Sequence, residues 1–461
     1  VPPTAVPAAL EACAERGIRA VVIASGGFRE TGPEGAALEE ECLAIARRHT
    51  MRLMGPNCIG LLDTHLPLDT TFLPPPAPAA GDIAFISHSG AICAAIVDWS
   101  RGQGFGFSRL VSLGNQVDVT ETDILPAVAA DPHTAVIALY LESISDGLRF
   151  VDIARQITPV KPIVALKVGR TAAGQKAAAS HTGALAGQEA AFDAALRRAG
   201  IHRATTAEQL FDWARALAAN AARGLRRAEW VDSEFRTPNS EFRVAVLTNA
   251  GGPGVMAADA LEANGLALPE LRLETENQLR ELLPPAASVA NPVDMLASAS
   301  PEQYAESLRL LLADAGVDAV LVILPPPPMF SAGAVARQVI PVIQTASKPV
   351  VMALMGHGLV QEALAFFRAV NIPTYTFPEA AASALAAVSR QRSAVSHQLP
   401  AASRQPLKSA PSVQFTLSTV QTPWLPQDTL FNLLNAYGIQ TPAYRIVSSP
   451  AEALAAAQAL G

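Results

Sequence analysis

The sequence predicts an α/β protein built from successive doubly wound domains, in which helices cover both faces of parallel sheets. Three observations support this class. Short runs of apolar residues alternate with amphipathic helical patterns along most of the chain. Small polar loops that contain glycine follow several of these runs, as they do at the carboxyl ends of parallel strands. Half of the 461 residues are apolar and only 16% are charged, so every domain can form a sizeable core.

The first segment, residues 1–78, has the pattern of an incomplete parallel sheet. It alternates helices with strands, at 5–16, 20–24, 36–49 and 51–54. The second strand runs into the loop Gly55-Pro-Asn-Cys58. A complete nucleotide-binding βαβ unit would open with a strand and a Gly-rich turn, and neither is present. We expect a truncated Rossmann-like domain that is either unusual or lacks its first half.

Two doubly wound domains are predicted next, at residues 79–222 and 240–392. Each opens with a strand, a small polar loop that contains glycine, and a helix. Each also carries a similar short signature, Asn115-Gln-Val-Asp118 in one and Asn291-Pro-Val-Asp294 in the other. The repeat indicates an old duplication, although chance would often produce a match this short.

The last part of the chain is predicted to be a linker and the beginning of a further domain. Residues 393–425 are rich in Ser, Gln, Ala and Pro and lack periodicity, which is typical of a flexible tether. Residues 426–461 have the pattern of a helix, a strand and the start of another helix. This segment is too short to fold as an independent domain.

Composition excludes several classes of function. The net charge of −7 argues against a nucleic-acid-binding surface. Four scattered cysteines without CxxC spacing indicate reduced thiols, with neither a zinc site nor a disulfide framework. We find no signal peptide and no apolar run of about 18 residues, so we expect a cytoplasmic protein without a membrane partner.

His181 is the main candidate catalytic residue. It lies in Ala178-Ala-Ser-His-Thr-Gly-Ala-Leu-Ala-Gly187, where small neighbours leave the imidazole uncovered and allow the loop to move. Imidazole is neutral and nucleophilic near pH 7, which suits a group that accepts a phosphoryl group and passes it on. The alternative is a loop histidine without a task, since most histidines are not catalytic.

Glu142 is the candidate partner of this histidine. It ends a predicted strand, at the sheet edge where α/β proteins bind ligands. Its carboxylate can accept the Nδ1 proton of His181 and leave Nε2 free to attack phosphorus. The alternative is a surface glutamate.

Two glycine-containing loops are candidate phosphate sites, Ser89-Gly90 and residues 249–254. Each stands at a helix N-terminus, where free N–H groups and the helix dipole favour an anion. The residues that we expect to contact phosphate are Ser89, Gly90, Asn249, Gly251 and Gly252. His88, beside the first loop, is a further candidate. The alternative is that these loops only turn the chain.

Together, these motifs resemble those of the NDP-forming acyl-CoA synthetases, relatives of succinyl-CoA synthetase, and in particular the ADP-forming acetate–CoA ligases. The matching motifs keep their order over nearly the whole chain: Val1-Pro-Pro, Met54-Gly-Pro-Asn-Cys58, Ile86-Ser-His-Ser-Gly90, Ser112-Leu-Gly-Asn115, Glu142, Ser180-His-Thr-Gly-Ala-Leu-Ala-Gly187, Thr248-Asn-Ala-Gly-Gly-Pro-Gly254 and Asn291-Pro-Val-Asp294. The resemblance implies that His181 is phosphorylated and that Glu142 supports it. It also implies that CoA binds at Val1, Pro2, Gly26, Gly27, Asn57 and Cys58.

For the fold, the resemblance implies a truncated CoA-binding domain, two flavodoxin-like domains and the start of an ATP-grasp domain. For the activity, it implies that acyl-CoA and phosphate give acyl phosphate and CoA, and that His181 then carries the phosphoryl group to ADP. The products are ATP and a free acid, acetate or another small one. The implied cofactors are CoA, ATP or ADP, and Mg²⁺, in a protein that forms an oligomer.

The resemblance also leaves parts of the enzyme unaccounted for. Half of the CoA-binding domain and most of the ATP-grasp domain are absent from the sequence. We therefore expect that this chain alone neither binds CoA fully nor makes ATP. Nucleotide and Mg²⁺ would bind an ATP-grasp domain or partner subunit, and no metal site is expected here.

Two alternative functions remain at this stage. Certain protein lysine acetyltransferases carry a similar, non-catalytic region that senses acyl-CoA, and residues 89–99 also resemble theirs. That group loses the phosphorylatable histidine, whereas His181 and its glycine-rich surroundings are present here, which favours the enzyme. A plain CoA-binding scaffold is the other alternative, and it would need no such histidine.

Overall fold

The computed structural model describes residues 1–66, 68–73, 75–170, 189–222 and 241–396. Residues 171–188, which include His181, lie outside this part of the chain, as do residues 397–461 with most of the predicted linker and the predicted ATP-grasp segment. Within the described ranges, no helix combines the length and apolarity needed to cross a lipid bilayer.

The N-terminal region forms a small parallel sheet covered by two helices. Its elements are α1 (Val6–Glu15), β1 (Ala20–Val22), α2 (Pro33–Arg48) and β2 (Arg52–Met54). Strands β1 and β2 pair in parallel, with Ala20 opposite Arg52. Leu10, Phe28 and Leu53 are buried between the helices and this sheet. The expected incomplete parallel sheet is therefore present.

A seven-stranded sheet follows. Its strands are β3 (Gly60–Asp63), β4 (Leu68–Asp69), β5 (Ala80–Ser87), β6 (Phe107–Ser112), β7 (Val136–Leu141), β8 (Ile163–Lys167) and β9 (His202–Ala204), in the order β4-β3-β6-β5-β7-β8-β9. Strands β5 to β9 are parallel, and β3 and β4 add an antiparallel edge. Residues of β3 and β4, which the sequence analysis counted with the first domain, thus belong to this sheet. The helices here are α3 (Gly90–Gln103), α4 (Glu121–Ala130), α5 (Gly147–Ile157), α6 (Glu189–Arg198) and α7 (Ala207–Ala222).

A five-stranded parallel sheet forms the next layer. Its strands are β10 (Val244–Thr248), β11 (Val293–Asp294), β12 (Ala319–Leu324), β13 (Val350–Leu354) and β14 (Thr374–Tyr375), in the order β11-β10-β12-β13-β14. Its helices are α8 (Gly251–Ala263), α9 (Leu273–Leu282), α10 (Pro301–Ala313), α11 (Ala332–Thr345), α12 (Gln361–Ala369) and α13 (Pro378–Ser396).

Both parallel sheets have the flavodoxin-like strand order. When each set of five parallel strands is numbered from its first member, β5 or β10, the order is 2-1-3-4-5 in both. Their central strands are buried on both faces, which is why they read as continuous apolar runs in the sequence. The predicted pair of flavodoxin-like domains is confirmed.

The two flavodoxin-like domains share one core. Phe211 and Ala214 on α7, Ala257 on α8 and Leu385 on α13 belong to the same buried cluster. The indole N–H of Trp213 donates to Ser383 Oγ at 2.9 Å across this layer. The small alanine side chains on these helices permit close packing, so the sheets hold a fixed position relative to each other.

Candidate functional site

A cavity of about 460 Å³ opens at the carboxyl edge of the seven-stranded sheet. It brings together six residues with predicted roles, with Ser143 and others beside them: Asn57, Cys58, His88, Ser89, Gly90 and Glu142. The loops after β5 and β7 meet here because the carboxyl ends of parallel strands lie at one edge of a sheet, and the loop after β2 of the small N-terminal sheet also lines the cavity. The same cavity is lined by residues that were not predicted to have a role, namely Arg29, Phe72, Gly114, Asn115 and Gln116.

The loop from Ser87 to Gly90 turns the chain from β5 into α3. Ser87 Oγ donates to the carbonyl of Ser89 at 2.9 Å and accepts the Ser89 N–H at 3.1 Å. Ser89 caps α3, with its Oγ accepting the Ile92 N–H. A Cβ at Gly90 would lie 2.9 Å from Ile59 Cγ1, so only glycine fits without displacing that side chain. The N-terminus of α3 therefore faces the cavity with little side chain in front of it, which suits an anion.

The second predicted phosphate loop has the same internal geometry. Thr248 Oγ1 donates to the carbonyl of Ala250 at 3.1 Å and accepts the Ala250 N–H at 3.1 Å. Helix α8 then begins at Gly251, as α3 begins at Gly90. Asn249 consequently occupies the position that His88 has in the first loop. This equivalence extends the likeness of the two domains from strand order to individual hydrogen bonds.

The second loop does not line the cavity. Gly251 and Gly252 are exposed at the carboxyl edge of the five-stranded sheet. A Cβ at Gly251 would lie 3.3 Å from Asp294 Oδ2, so a carboxylate already lies beside the N-terminus of α8. The buried Oδ1 of Asn249 has no hydrogen-bond partner among the described residues. A role for this loop in phosphate binding remains a prediction.

Glu142 directly follows β7 and lines the cavity. Its backbone N–H donates to Nδ1 of His88 at 3.1 Å, which fixes the start of the loop after β7. Lys167, at the end of the neighbouring strand β8, lies close enough for its charge to interact with that of Glu142. Burial lowers the pKa of Lys167, and the carboxylates of Glu189 and Glu142 oppose that shift. A buried cation thus lies near the Glu142 carboxylate at this edge of the sheet.

His88 is buried behind Glu142 and contacts a second carboxyl group. Its Nε2 lies 3.2 Å from Oε2 of Glu121, the first residue of α4, and the two side chains are only 2% and 1% exposed. Neither atom forms a hydrogen bond, either with the other or with another described residue. Nδ1 accepts the Glu142 N–H, so it helps to position the loop that carries Glu142, while Nε2 lies against α4.

The predicted CoA residues divide into an inner and an outer group. Cys58, on the inner side, is 3% exposed, and its thiol donates to the Ile23 carbonyl at 3.4 Å. Burial raises the pKa of Cys58 to about 11, so it packs as a neutral thiol. Asn57 is exposed, and its Nδ2 contacts Asn115 Oδ1 at 3.4 Å.

The outer group lies beside Asn57 and consists of Val1, Pro2, Gly26 and Gly27. A Cβ at Gly26 would lie 3.3 Å from Asn57 Oδ1, and one at Gly27, where φ is +102°, would lie 2.8 Å from Pro3 Cγ. The Val1 carbonyl accepts the Ser25 hydroxyl at 2.6 Å. Val1, Pro2, Gly26 and Gly27 are thus placed together near the cavity, although they do not line it.

Asn115 connects the N-terminal region to the cavity, and the sequence analysis gave it no role. Its Nδ2 donates to Glu30 Oε2 at 2.6 Å and to Glu39 Oε2 at 2.9 Å. The guanidinium of Arg29 donates to the Asn115 carbonyl and lies 3.5 Å from Glu39. Burial acts to raise the pKa of Glu30, but hydrogen bonds from Asn115 and the Gly27 N–H outweigh it and lower that pKa. The signals in the sequence were the signature Asn115-Gln-Val-Asp118 and the motif Ser112-Leu-Gly-Asn115.

Gly114 lines the cavity beside Asn115, and the backbone around it leaves no room for a side chain. We expect Gly114→Ala to destabilise the protein by about 2–3 kcal/mol. Its φ is +58°, and a Cβ would lie 2.2 Å from the Pro56 carbonyl oxygen and 2.5 Å from that of Asn57. Urea denaturation would measure the change. Gly102→Ala is the matched control, since a Cβ there meets nothing within 4 Å and alanine favours helix α3 by up to about 1 kcal/mol. Equal urea midpoints for the two variants would contradict this account of the packing around Gly114.

Three protein-family models match successive parts of the chain. A CoA binding domain matches residues 1–64, a succinyl-CoA ligase like flavodoxin domain matches residues 80–217, and a ligase-CoA domain matches residues 244–400. The three matches therefore cover each of the sheets described above.

Individual relatives agree with these families. The chain is 39% identical over 397 residues to the alpha subunit of acetate–CoA ligase (ADP-forming) II from Pyrococcus furiosus, covering 85% of this chain and 82% of that subunit. It is also 39% identical over 390 residues to acetate–CoA ligase (ADP-forming) I from Archaeoglobus fulgidus, but it spans only 53% of that relative's length. A solved structure of dinucleotide forming acetyl-coenzyme A synthetase 1 from Ca. Korarchaeum cryptofilum, in complex with phosphate and ADP, matches with a TM-score of 0.78 and 34% identity, covering 87% of this chain and 84% of that one.

The order of the domains, the cavity between the first two of them and the extent of these matches lead to one conclusion. The resemblance that the motifs indicated is confirmed. This chain belongs to the NDP-forming acyl-CoA synthetase family.

Proposed function

We propose that the chain is the CoA-binding and phosphohistidine part of an enzyme that interconverts acyl-CoA, ADP and phosphate with a carboxylic acid, CoA and ATP. The observation that carries the proposal is the cavity itself, in which Glu142 and the Ser89-Gly90 turn lie beside Asn57 and Cys58. The names of the two acetate–CoA ligases support acetate or another small acid as substrate.

The first step joins phosphate to the acyl group. A phosphate oxygen attacks the thioester carbonyl, the carbon–sulfur bond breaks, and CoA leaves as its thiolate, giving acyl phosphate. The N-terminus of α3 supplies a dipole and a side-chain-free approach for the phosphate at Ser89 and Gly90. The main contribution of the site is to position the reactants and neutralise their charge.

The second step moves the phosphoryl group to His181. Nε2 of the imidazole attacks phosphorus, the bond to the acyl oxygen breaks, and the carboxylate leaves. Glu142 would accept the Nδ1 proton and stabilise the charge that develops on the ring. The contact of its N–H with His88 supports this role, because it holds the residue at the cavity. The phosphohistidine then passes its phosphoryl group to ADP, giving ATP and regenerating His181.

We assign the nucleotide and Mg²⁺ to an ATP-grasp domain or partner subunit, for which residues 426–461 would be the start. The described residues hold no cluster of three or more His, Cys, Asp or Glu side chains suited to a metal ion. The Korarchaeum relative is named as a complex with phosphate and ADP, and the Pyrococcus relative as an alpha subunit, which supports nucleotide use and more than one kind of subunit. The four cysteines are free thiols, which supports a cytoplasmic protein.

The domain boundaries are part of this proposal. They are 1–78 for CoA binding, 79–222 for the domain with the phosphohistidine loop, 240–392 for the second flavodoxin-like domain, and 393–425 for the linker. The alternative of an acyl-CoA-sensing region of a lysine acetyltransferase gains no support, since the relatives named above are CoA ligases or synthetases.

The experiment that tests the function compares the full-length protein with its Glu142→Gln variant. With acetyl-CoA and radiolabelled phosphate, the wild-type protein should acquire an acid-labile, base-stable label that ADP discharges. Glu142→Gln should be labelled about 100-fold more slowly at unchanged thermal midpoint, because general-base assistance typically contributes this much or more.

Glu34→Gln is the matched control, since Glu34 is exposed at the start of α2. It should be labelled at the wild-type rate. Absence of label on the wild-type protein would refute the function. Equal labelling rates for Glu142→Gln and Glu34→Gln would indicate that Glu142 is a surface carboxylate without a catalytic role.

A further inference from the structure

A second cavity, of about 500 Å³, opens at the opposite edge of the two sheets. Its lining includes residues just before β5, β6, β7 and β14, so it lies at the amino ends of these strands. Ligands of the main reaction in open α/β sheets bind at the carboxyl ends. This cavity is therefore separate from the candidate site, and it is lined by both flavodoxin-like domains.

Arg368 enters this cavity from the last turn of α12, and no carboxylate of the described residues forms an ion pair with it. Its aliphatic part lies against Gly104, where φ is +71° and a Cβ would be 2.5 Å from Arg368 Cδ. Its Nε is buried and has no hydrogen-bond partner among the described residues. Burial lowers the pKa of Arg368, and the charge of Arg215 lowers it further. Two guanidinium groups from different domains thus line the same cavity.

Arg215, on α7, has only a partial counter-charge. It is 9% exposed and lies over the rings of Phe105 and Tyr375, at 5.6 and 6.0 Å from their centres. Its carboxylate partner is Asp212, at the long distance of 3.8 Å. Burial raises the pKa of Asp212 to about 7, in spite of Arg215, so this carboxyl group is only partly ionised at neutral pH.

The other titratable groups of the cavity do not neutralise this pair. Asp82 lines the cavity, and burial raises its pKa with no cation opposing the shift. His65 and His133 stack with ring centres 4.0 Å apart, and His65 Nε2 contacts the Gly81 carbonyl at 2.9 Å. These groups leave the two arginines as the dominant charges.

We propose that this cavity binds a small oxyanion, a phosphate or carboxylate group, between Arg215 and Arg368. A buried N–H without an acceptor is unfavourable, and an anion between the two guanidinium groups would give Arg368 Nε an acceptor. The guanidinium group presents a planar set of donors that matches the oxygens of phosphate and carboxylate. Because α7 and α12 belong to different domains, a bound anion would also tie the two flavodoxin-like domains together.

The test uses crystals of the full-length protein soaked in selenate, whose anomalous signal locates the ion. The wild-type protein should show selenate between Arg215 and Arg368, and Arg368→Met should lose it there. Arg280→Met is the matched control, because Arg280 is exposed on α9 and pairs with Glu276, and it should keep the ion. Absence of selenate from this cavity in the wild-type protein would overturn the proposal.

Calorimetric titration then identifies the class of anion. Sulfate and acetate, titrated separately, report binding of tetrahedral and planar oxyanions, and we expect Arg368→Met to weaken binding of the preferred one at least 10-fold. Arg368→Lys keeps the positive charge but lacks the planar set of donors, so it should weaken anion binding less than Arg368→Met does. The lysine variant also provides a test if Arg368→Met folds poorly. Unchanged affinity in Arg368→Met and Arg368→Lys would contradict the proposal. Labelling of His181 is not part of either measurement, so failure here is distinct from failure of the proposed function.

Discussion

His181→Asn in the full-length protein is expected to take up no acid-labile label from acetyl-CoA and radiolabelled phosphate and to lose at least about 1,000-fold of the overall rate. Asparagine is of similar size and polarity, but it has no ring nitrogen that can form a bond to phosphorus. The effect should therefore be on the chemistry and not on folding.

The first half of the reaction offers an internal control for this variant. Arsenate can replace phosphate in the attack on acyl-CoA, and the acyl arsenate that forms hydrolyses in water. His181→Asn should thus retain arsenate-dependent release of CoA from acetyl-CoA, because this step uses the cavity and not the imidazole. Loss of both activities would indicate that the substitution damages the site as a whole.

His49→Asn is the matched histidine variant. His49 is 39% exposed, directly follows α2 and contacts Glu11 on the surface of the N-terminal region. It should label and turn over at the wild-type rate. If His181→Asn were labelled as strongly as His49→Asn, the phosphoryl group would be carried elsewhere and the proposed mechanism would be wrong.

Sequence patterns predicted the central strands well, because these strands are buried on both faces. The runs that became β7 and β12 are apolar at nearly every position, and the structure buries almost all of their residues. Several strands were not predicted, including the buried β6 and the short strands β3 and β4. Strands β3 and β4 are four and two residues long, and β4 is exposed, so neither has a periodic pattern that distinguishes it from a loop.

The composition of the cavity was predictable only where a loop directly follows an obvious strand. This applies to Glu142 after β7 and to Ser89 after β5. The contacts of Asn115 with Glu30 and Glu39 join residues separated by 85 and 76 positions in the sequence. The pair of His88 and Glu121 is equally invisible in the sequence, because His88 follows a strand and Glu121 begins a helix that packs behind it.

His88→Leu is expected to lower the free energy of unfolding by about 2–4 kcal/mol and to slow phosphorylation of the full-length protein. It removes the acceptor of the Glu142 N–H and leaves the buried Oε2 of Glu121 without its contact. His88→Gln is the matched variant, since its side-chain oxygen can accept that N–H while its amide nitrogen donates to Glu121. It should recover most of both losses.

If His88 positions Glu142, a further result is expected that a purely structural role would not produce. If His88 acts by holding the loop that carries Glu142, its effect on the rate should depend on Glu142. His88→Leu should then slow labelling much less in a Glu142→Gln background than in the wild type, and this non-additivity is measured by a double-mutant cycle. The labelling rate at saturating acetyl-CoA and phosphate reports the chemical steps. A change only in the substrate concentration that gives half of the maximal rate would not count as support. Equal factors in both backgrounds would show that the buried pair stabilises the fold independently of Glu142.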